Sequence, residues 1–332
     1  MHSEPQAKSI VVLIAVCLLL TAVTPFLGMQ AIAPTAIWEA GNPEAEVFWR
    51  LRLPRMFAGF LAGAGLSVCG MVFQALFRNP LATPFTLGVS SGAALGASLY
   101  FSLGAGLSFF GASGSLLAAL AGGLASMLLV YGITRAKGGF STPVMLLAGV
   151  VISFFCSSLV MLIQYLSGAQ DALRIMHWLM GSLAGVEIAR LADLGFVVLA
   201  GSLVILRLAP EIDLLVAGEE LAASRGVAVR RAKILLFAVS SIVIGAIVSL
   251  AGPIGFVGMM IPHLCRLRLG WNHKRLLPAV FFAGGCFLAG CDLAARLILA
   301  PAEIPIGIVT ALIGGPFFLW ILFRTNSGGD LF

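Results

Sequence analysis

Charged side chains are scarce in this sequence. They make up 10% of its 332 residues, where an ordinary soluble domain carries about 25%. With 60% apolar residues and a mean hydropathy of +1.06, the chain has too little polar surface to stay in water. Lipid is the solvent that this composition fits. A GxxxxGK[ST] segment is also missing, so the chain offers no phosphate-cradling loop of its own. Its six cysteines, Cys17, Cys69, Cys156, Cys265, Cys286 and Cys291, form no CxxC pair. That argues against a disulfide framework or a zinc site, and the thiols read as small apolar residues. The histidines His2, His177, His263 and His273 are dispersed, none at metal-ligand spacing. No Ser/His/Asp arrangement can be argued, which disfavours a membrane-embedded enzyme. No segment is long and polar enough for a soluble domain, and the longest polar loops run about 35–55, 167–190 and 209–232.

What the chain has in abundance is apolar runs. A membrane helix needs about 20 mostly apolar residues. Ten stretches qualify, a few of them short: 9–30, 56–77, 86–104, 113–134, 143–166, 191–208, 233–251, 254–268, 278–299 and 305–323. The eighth is too short to cross bare lipid and requires shielding by its neighbours. The first follows Lys8, lacks a clear cleavage site and reads as a retained helix rather than a signal peptide.

The net charge of +6 sits in short clusters between these runs, as orientation signals do; nucleic acid is not implied. If all ten stretches cross and the N-terminus is cytoplasmic, the cytoplasmic loops hold Lys8, Arg78, Arg135, Lys137, Arg207, Arg225, Arg230, Arg231, Lys233, Arg266, Arg268, Lys274, Arg275 and Arg324. The other face holds Arg50, Arg52, Arg55, Arg174, Arg190 and Arg296. This split of 14 to 6 follows the positive-inside rule and expects both termini in the cytoplasm.

Several local patterns carry chemistry. Glycines recur every four residues at Gly59 and Gly63, at Gly88, Gly92 and Gly96, and at Gly181 and Gly185. That spacing predicts close helix packing, with or without a pathway. Arg50, Arg52 and Arg55 surround Pro54, which suits the first turn of a helix. Three arginines at a helix N-terminus oppose its dipole. They call for an acidic partner, lipid headgroups or local pairing with Glu44 and Glu46. Asp292 and Arg296 stand four apart, as a helical ion pair, with either a structural or a docking role. The segment Pro210–Lys233 reads as short amphipathic helices broken at Gly218 and Gly226, either a solvated loop or a docking surface.

Four stretches together resemble the FecCD family of ABC-importer permeases: Leu51-Arg52-Leu53-Pro54-Arg55; Gln74-Ala75-Leu76-Phe77-Arg78-Asn79-Pro80-Leu81-Ala82; Gly252-Pro253-Ile254-Gly255-Phe256-Val257-Gly258 through Ile261-Pro262-His263; and Ile304-Pro305-Ile306-Gly307-Ile308-Val309-Thr310. The likeness runs in order from about residue 47 to 324. It implies an all-α polytopic protein of ten transmembrane helices with the type II ABC importer permease fold. The whole of residues 1–332 then forms one permease domain, with a coupling-helix loop at about 210–232.

The resemblance also implies partners: a second copy of the chain, two ATP-binding cassette subunits, a periplasmic or lipid-anchored substrate-binding protein, and the lipid of a bacterial inner membrane. ATP and Mg would be bound by the separate ATPase, with no cofactor or metal on this chain. The cargo would be an iron chelate (siderophore or haem) or cobalamin. Matched to the family's motifs, Arg52, Arg55 and Arg296 would dock the binding protein. Gly218, Ala222, Arg225, Gly226 and Val227 would couple to the ATPase, although Arg225 stands where the family commonly has leucine. Asn79, Ser141 and Thr142 would form a cytoplasmic gate. Arg174 and His177 would stand at the substrate entrance on a short helix within 171–185. The competing class is an ion-coupled secondary transporter, which expects carboxylates near helix midpoints; Asp193 and Asp292 lie near helix ends instead.

Overall fold

The computed structural model describes residues 3–39, 41–83, 87–103, 108–109, 112–137 and 142–324. Apolar runs become helices, even across Pro262, Pro278 and Pro316, because lipid leaves backbone groups no partners but their own. In chain order these are α1 (Ser3–Val23), α2 (Pro43–Val47), α3 (Leu53–Phe77), α4 (Val89–Ser102), α5 (Gly114–Ala136), α6 (Thr142–Leu166), α7 (Ala169–Leu179), α8 (Ile188–Arg207), α9 (Ala209–Ala217), α10 (Glu219–Ser224), α11 (Val229–Ala251), α12 (Val257–Leu269), α13 (His273–Leu297) and α14 (Ile306–Arg324). A two-residue antiparallel pairing, Ser108–Phe109 with Ala112–Ser113, is the only strand structure among the described residues.

Each of the ten apolar stretches contains a helix. Six of the resulting helical segments are long and apolar enough to cross a membrane: 43–77, 114–136, 142–166, 188–207, 229–251 and 273–297. Some hydroxyls inside the helices are met by the helix itself, while those of Ser67, Ser90, Ser240 and Ser241 are buried without a hydrogen-bond partner among the described residues. Thr134 Oγ1 donates to the Val130 carbonyl at 2.6 Å and Ser98 Oγ to the Ala94 carbonyl at 2.7 Å, the i−4 bond open to hydroxyls in a helix.

α3 is the hub, buried on all sides from Ala62 to Phe77. It lies antiparallel to α13, Gly59 facing Ala289 and Gly63 facing Gly284. A Cβ on Gly63 would stand 2.2 Å from the Gly284 carbonyl oxygen, so this crossing exists only without a side chain there. Gly92 and Gly96 of α4 do the same against Gly122 and Ala118 of α5. The four-residue spacing misleads elsewhere. Gly88 (φ +81°), Gly181 (φ +72°) and Gly185 (φ +72°) lie in turns outside the helices, where left-handed backbone selects glycine. At Gly181 close approach adds to it, since a Cβ there would stand 2.8 Å from the Pro253 carbonyl oxygen.

The short α12 is shielded as expected, with Val257, Met260, Ile261, Cys265 and Leu269 all buried. It is separated from α11 by a break at 252–256, where Gly252 (φ +70°) and Phe256 (φ +65°) leave the helical region. Interrupted backbone within a membrane survives only where protein buries it or it lines a cavity. Here Ser182 N–H donates to the Ala251 carbonyl at 2.8 Å, and Gly307 N–H, at the start of α14, donates to the Met180 carbonyl at 3.1 Å.

Candidate functional site

α3 and α13 carry ionic groups at both ends, and these ends are the candidate functional surfaces. The helix that carries the arginine-rich segment begins upstream of it. Asn42 caps α2, its side-chain oxygen accepting from Glu44 N–H at 2.9 Å. A π turn over Phe48–Arg52 then continues α2 into α3. The three arginines therefore do not face an open helix N-terminus; Glu44 and Glu46 occupy that turn, where negative charge suits the dipole. Pro54 does fall in the first turn of α3.

At the Arg55 end, Asp292 is the centre. Arg55 Nε donates to both of its carboxylate oxygens at 2.9 and 3.1 Å, and Arg55 Nη1 donates to both oxygens of Glu303 at 2.8 and 3.1 Å. Arg296 Nε lies 3.2 Å from Asp292 Oδ2, the i,i+4 pair expected from spacing. Asp292 is 1% exposed and Glu303 48%. Arg52 turns instead to backbone, donating to the carbonyls of Pro25 (3.2 Å), Phe26 (3.4 Å) and Gln30 (2.7 Å). Arg50 stays exposed, 3.9 Å from Glu46. Arg50, Arg52, Arg55, Arg296 and Glu303 line one open cleft of about 750 Å³. The fold thus gathers Arg52, Arg55 and Arg296 beside Arg50, together with a partner that spacing did not reveal. Glu303 lies 248 positions from Arg55. Its only signal was that a carboxylate is rare in so apolar a chain.

At the Arg78 end, Pro210–Lys233 folds as anticipated into two short helices. Gly218 (φ +150°) separates α9 from α10, and Gly226 (φ +85°) turns the chain after it. Ala222 is fully buried, Gly218 and Val227 half-buried, and Arg225 and Gly226 exposed. Both long rods grip this unit. Arg78, just after α3, donates from Nη2 to the Leu215 carbonyl at 2.8 Å. His273, the first residue of α13, donates its N–H to Asp213 Oδ1 at 3.0 Å and holds its ring Nδ1 2.5 Å from the same atom. Lys233 Nζ meets Glu219 Oε1 at 2.5 Å, tying α11 to α10.

The remaining candidates are more scattered. Asn79 Oδ1 accepts from Leu81 N–H at 2.9 Å, turning its own chain. Thr142 opens α6 beside Leu76, Phe77 and Lys233, and Ser141 lies outside the described residues. Arg174 and His177 are exposed on the amphipathic α7. Arg174 is 3.6 Å from Asp171, and His177 Nδ1 lies 2.9 Å from the Leu173 carbonyl. Where α7, the 252–256 break and α14 meet, a mainly apolar cleft of about 560 Å³ opens beside Met180, Phe256 and Leu312. Among the described residues no group of three or more His, Cys, Asp or Glu side chains forms a metal cluster.

Comparison with known proteins bears on this geometry. Residues 11–324 match the FecCD transport family. The chain is 36% identical over 307 residues to the hemin transport system permease protein HmuU of Yersinia pestis, covering 91% of each chain. It is 42% identical over 293 residues to the cobalamin import system permease protein BtuC of Halobacterium salinarum, covering 88% of this chain and 78% of that one. It is also similar to the solved structure of a metal-chelate type ABC transporter in an inward-facing conformation, with a TM-score of 0.87, 31% identity, and coverage of 96% of this chain and 99% of the other.

Proposed function

The chain belongs to the FecCD transport family, and we propose that it is the permease of a binding-protein-dependent ABC importer for haem, another iron chelate or cobalamin. The observation that carries this reading is the near-full-length likeness to permeases of haem and of cobalamin. Ten crossings with both termini in the cytoplasm account best for the charge distribution, and place the Arg78 end inside and the Arg55 end outside.

In this reading the chain works as half of a homodimer. The apolar cleft beside α7 and α14 is one wall of the pathway, and a second copy supplies the other. Such walls need only bind cargo weakly, since the binding protein selects it. Arg52, Arg55 and Arg296 receive acidic groups of that protein at the outer cleft. Guanidinium forks suit carboxylates, and the four arginines Arg50, Arg52, Arg55 and Arg296 against Asp292 and Glu303 leave the cleft with positive charge in excess. The α9–α10 unit, with Gly218, Ala222, Arg225, Gly226 and Val227, engages the ATPase, which holds ATP and Mg. Asn79, Ser141 and Thr142 close the inner mouth, and Arg174 and His177 flank the outer one.

The antiparallel α3–α13 pair gives the two surfaces a mechanical link. It is pinned by Arg55–Asp292 at one end and grips α9 through Arg78 and His273 at the other. A tilt of the pair on docking or on ATPase closure moves both ends together. An ion-coupled carrier is less well supported. Asp292, the one fully buried carboxylate among the described residues, is already paired with Arg55 and Arg296.

The test is uptake of labelled haem, ferric siderophore and cobalamin into proteoliposomes holding the complete importer. One of these cargoes should enter with ATP inside; transport of none of them would overturn the substrate assignment.

A further inference from the structure

Arg266 is 8% exposed, yet it has no carboxylate partner among the described residues. Its Nη1 donates to Gln74 Oε1, and its Nη2 to the Met71 carbonyl at 3.3 Å. Its Nε is buried with no hydrogen-bond partner, and the Trp271 ring centre lies 5.1 Å from the guanidinium carbon. A buried guanidinium held only by neutral groups keeps most of its desolvation penalty, and an anion within reach would relieve it. This arginine borders a cleft of about 370 Å³, which Arg78 also lines and which contains no acidic residue. The other walls, Ala75, Pro80, Val216 and Trp271, are apolar. The cleft therefore suits an anionic head attached to a less polar body.

We propose that this cleft binds the phosphate of an anionic phospholipid headgroup. Its surroundings have the composition of a membrane–water boundary. Trp271 is 46% exposed, and Leu264, Leu267, Arg268 and Lys274 are exposed close by in sequence. An amphipathic indole settles at headgroup level, and basic pockets between membrane helices on the cytoplasmic side take anionic headgroups. The lipid would wedge between the end of α3, α9 and α12, against the unit assigned to ATPase coupling. Its assignment to the cytoplasmic leaflet rests on the orientation given above; its chemistry does not.

The test is native mass spectrometry of the full-length chain released from nanodiscs that contain phosphatidylglycerol and phosphatidylcholine in equal amounts. The wild type should retain phosphatidylglycerol preferentially. Arg78→Gln should weaken that retention about fivefold, the weight of one arginine at a lipid surface. Val216→Trp, which fills the cleft and leaves its charge intact, should abolish it. Arg135→Gln, at the end of α5, should leave it unchanged. Arg266→Gln should act like Arg78→Gln if it folds, and the other variants carry the test if it does not. Added inorganic phosphate should fail to displace the lipid; displacement at millimolar phosphate would make this a free-anion site and overturn the lipid assignment. Equal retention of both lipids, or loss of ATPase binding in Val216→Trp with lipid retention intact, would overturn it as well. The readout does not depend on which leaflet is cytoplasmic. Impermeant thiol labelling of Ser224→Cys in sealed vesicles tests orientation separately.

Discussion

Asp292 shows how a single carboxylate can organise a site. At 1% exposure it compensates Arg55 and Arg296 together, while Glu303 takes the other arm of Arg55 from the surface. Removing a buried charge strands its partners, and the penalty is about 3 kcal/mol or more. Asp292→Asn should therefore lower the stability of the detergent-solubilised chain by about that amount, whereas Glu303→Gln, being half exposed, should change it by less than about 1 kcal/mol. Equal unfolding midpoints for wild type and Asp292→Asn would show that the cluster is not an electrostatic unit. The same arrangement modifies the docking assignment. Arg55 is already occupied by a carboxylate of its own chain, so an incoming acidic group has to compete with Glu303. Glu303→Gln should speed association of the binding protein at low salt, and Arg52→Gln should slow it. Both differences should shrink at high salt, because long-range steering is screened. Rates indifferent to both substitutions would move the docking surface elsewhere.

Helices were the most legible part of the sequence, because lipid demands long apolar runs and the chain has little else. Each apolar stretch holds a helix, and the breaks at Gly218 and Gly226 fall where glycine interrupts the amphipathic pattern. The pairing of helices was not legible. Gly63 and Gly185 share the same spacing, but one serves the α3–α13 crossing and the other a turn. Local spacing carries no information about a partner more than 200 residues away, and for the same reason it gave Asp292–Arg296 but not Arg55–Glu303. Gly63→Ala should destabilise the chain by about 1–3 kcal/mol, since the clash is with backbone and has little room to relax. Gly132→Ala, with nothing within 4 Å of the added atom, should be neutral or stabilising by helix propensity. Thermal unfolding of the two variants side by side separates packing from propensity, and equal losses would contradict the packing account. At the other end, Ala222→Leu and Gly226→Val press on a buried contact and on a left-handed turn. Both should detach or uncouple the ATPase while the permease still folds, as pull-down and ATP-driven uptake would report. Normal uptake in both would reassign that loop.

The whole molecule is a helical bundle, and the function proposed for it depends on partner subunits. Its charged groups sit mainly at two ends of the same pair of rods, a cleft rich in arginine at one and the α9–α10 unit at the other. The class of machine was legible because four motif stretches, in order, resemble the FecCD family; on the proposed reading the pathway wall is mainly apolar and leaves no such mark of the cargo. The dependence on partner subunits defines the most direct test. Proteoliposomes should carry the permease alone, with its ATPase, or with ATPase and binding protein together, and cargo uptake should be followed with either ATP inside or an imposed proton or sodium gradient. The account predicts uptake only in the complete set and only with ATP. Uptake by the permease alone, driven by an ion gradient, would contradict it.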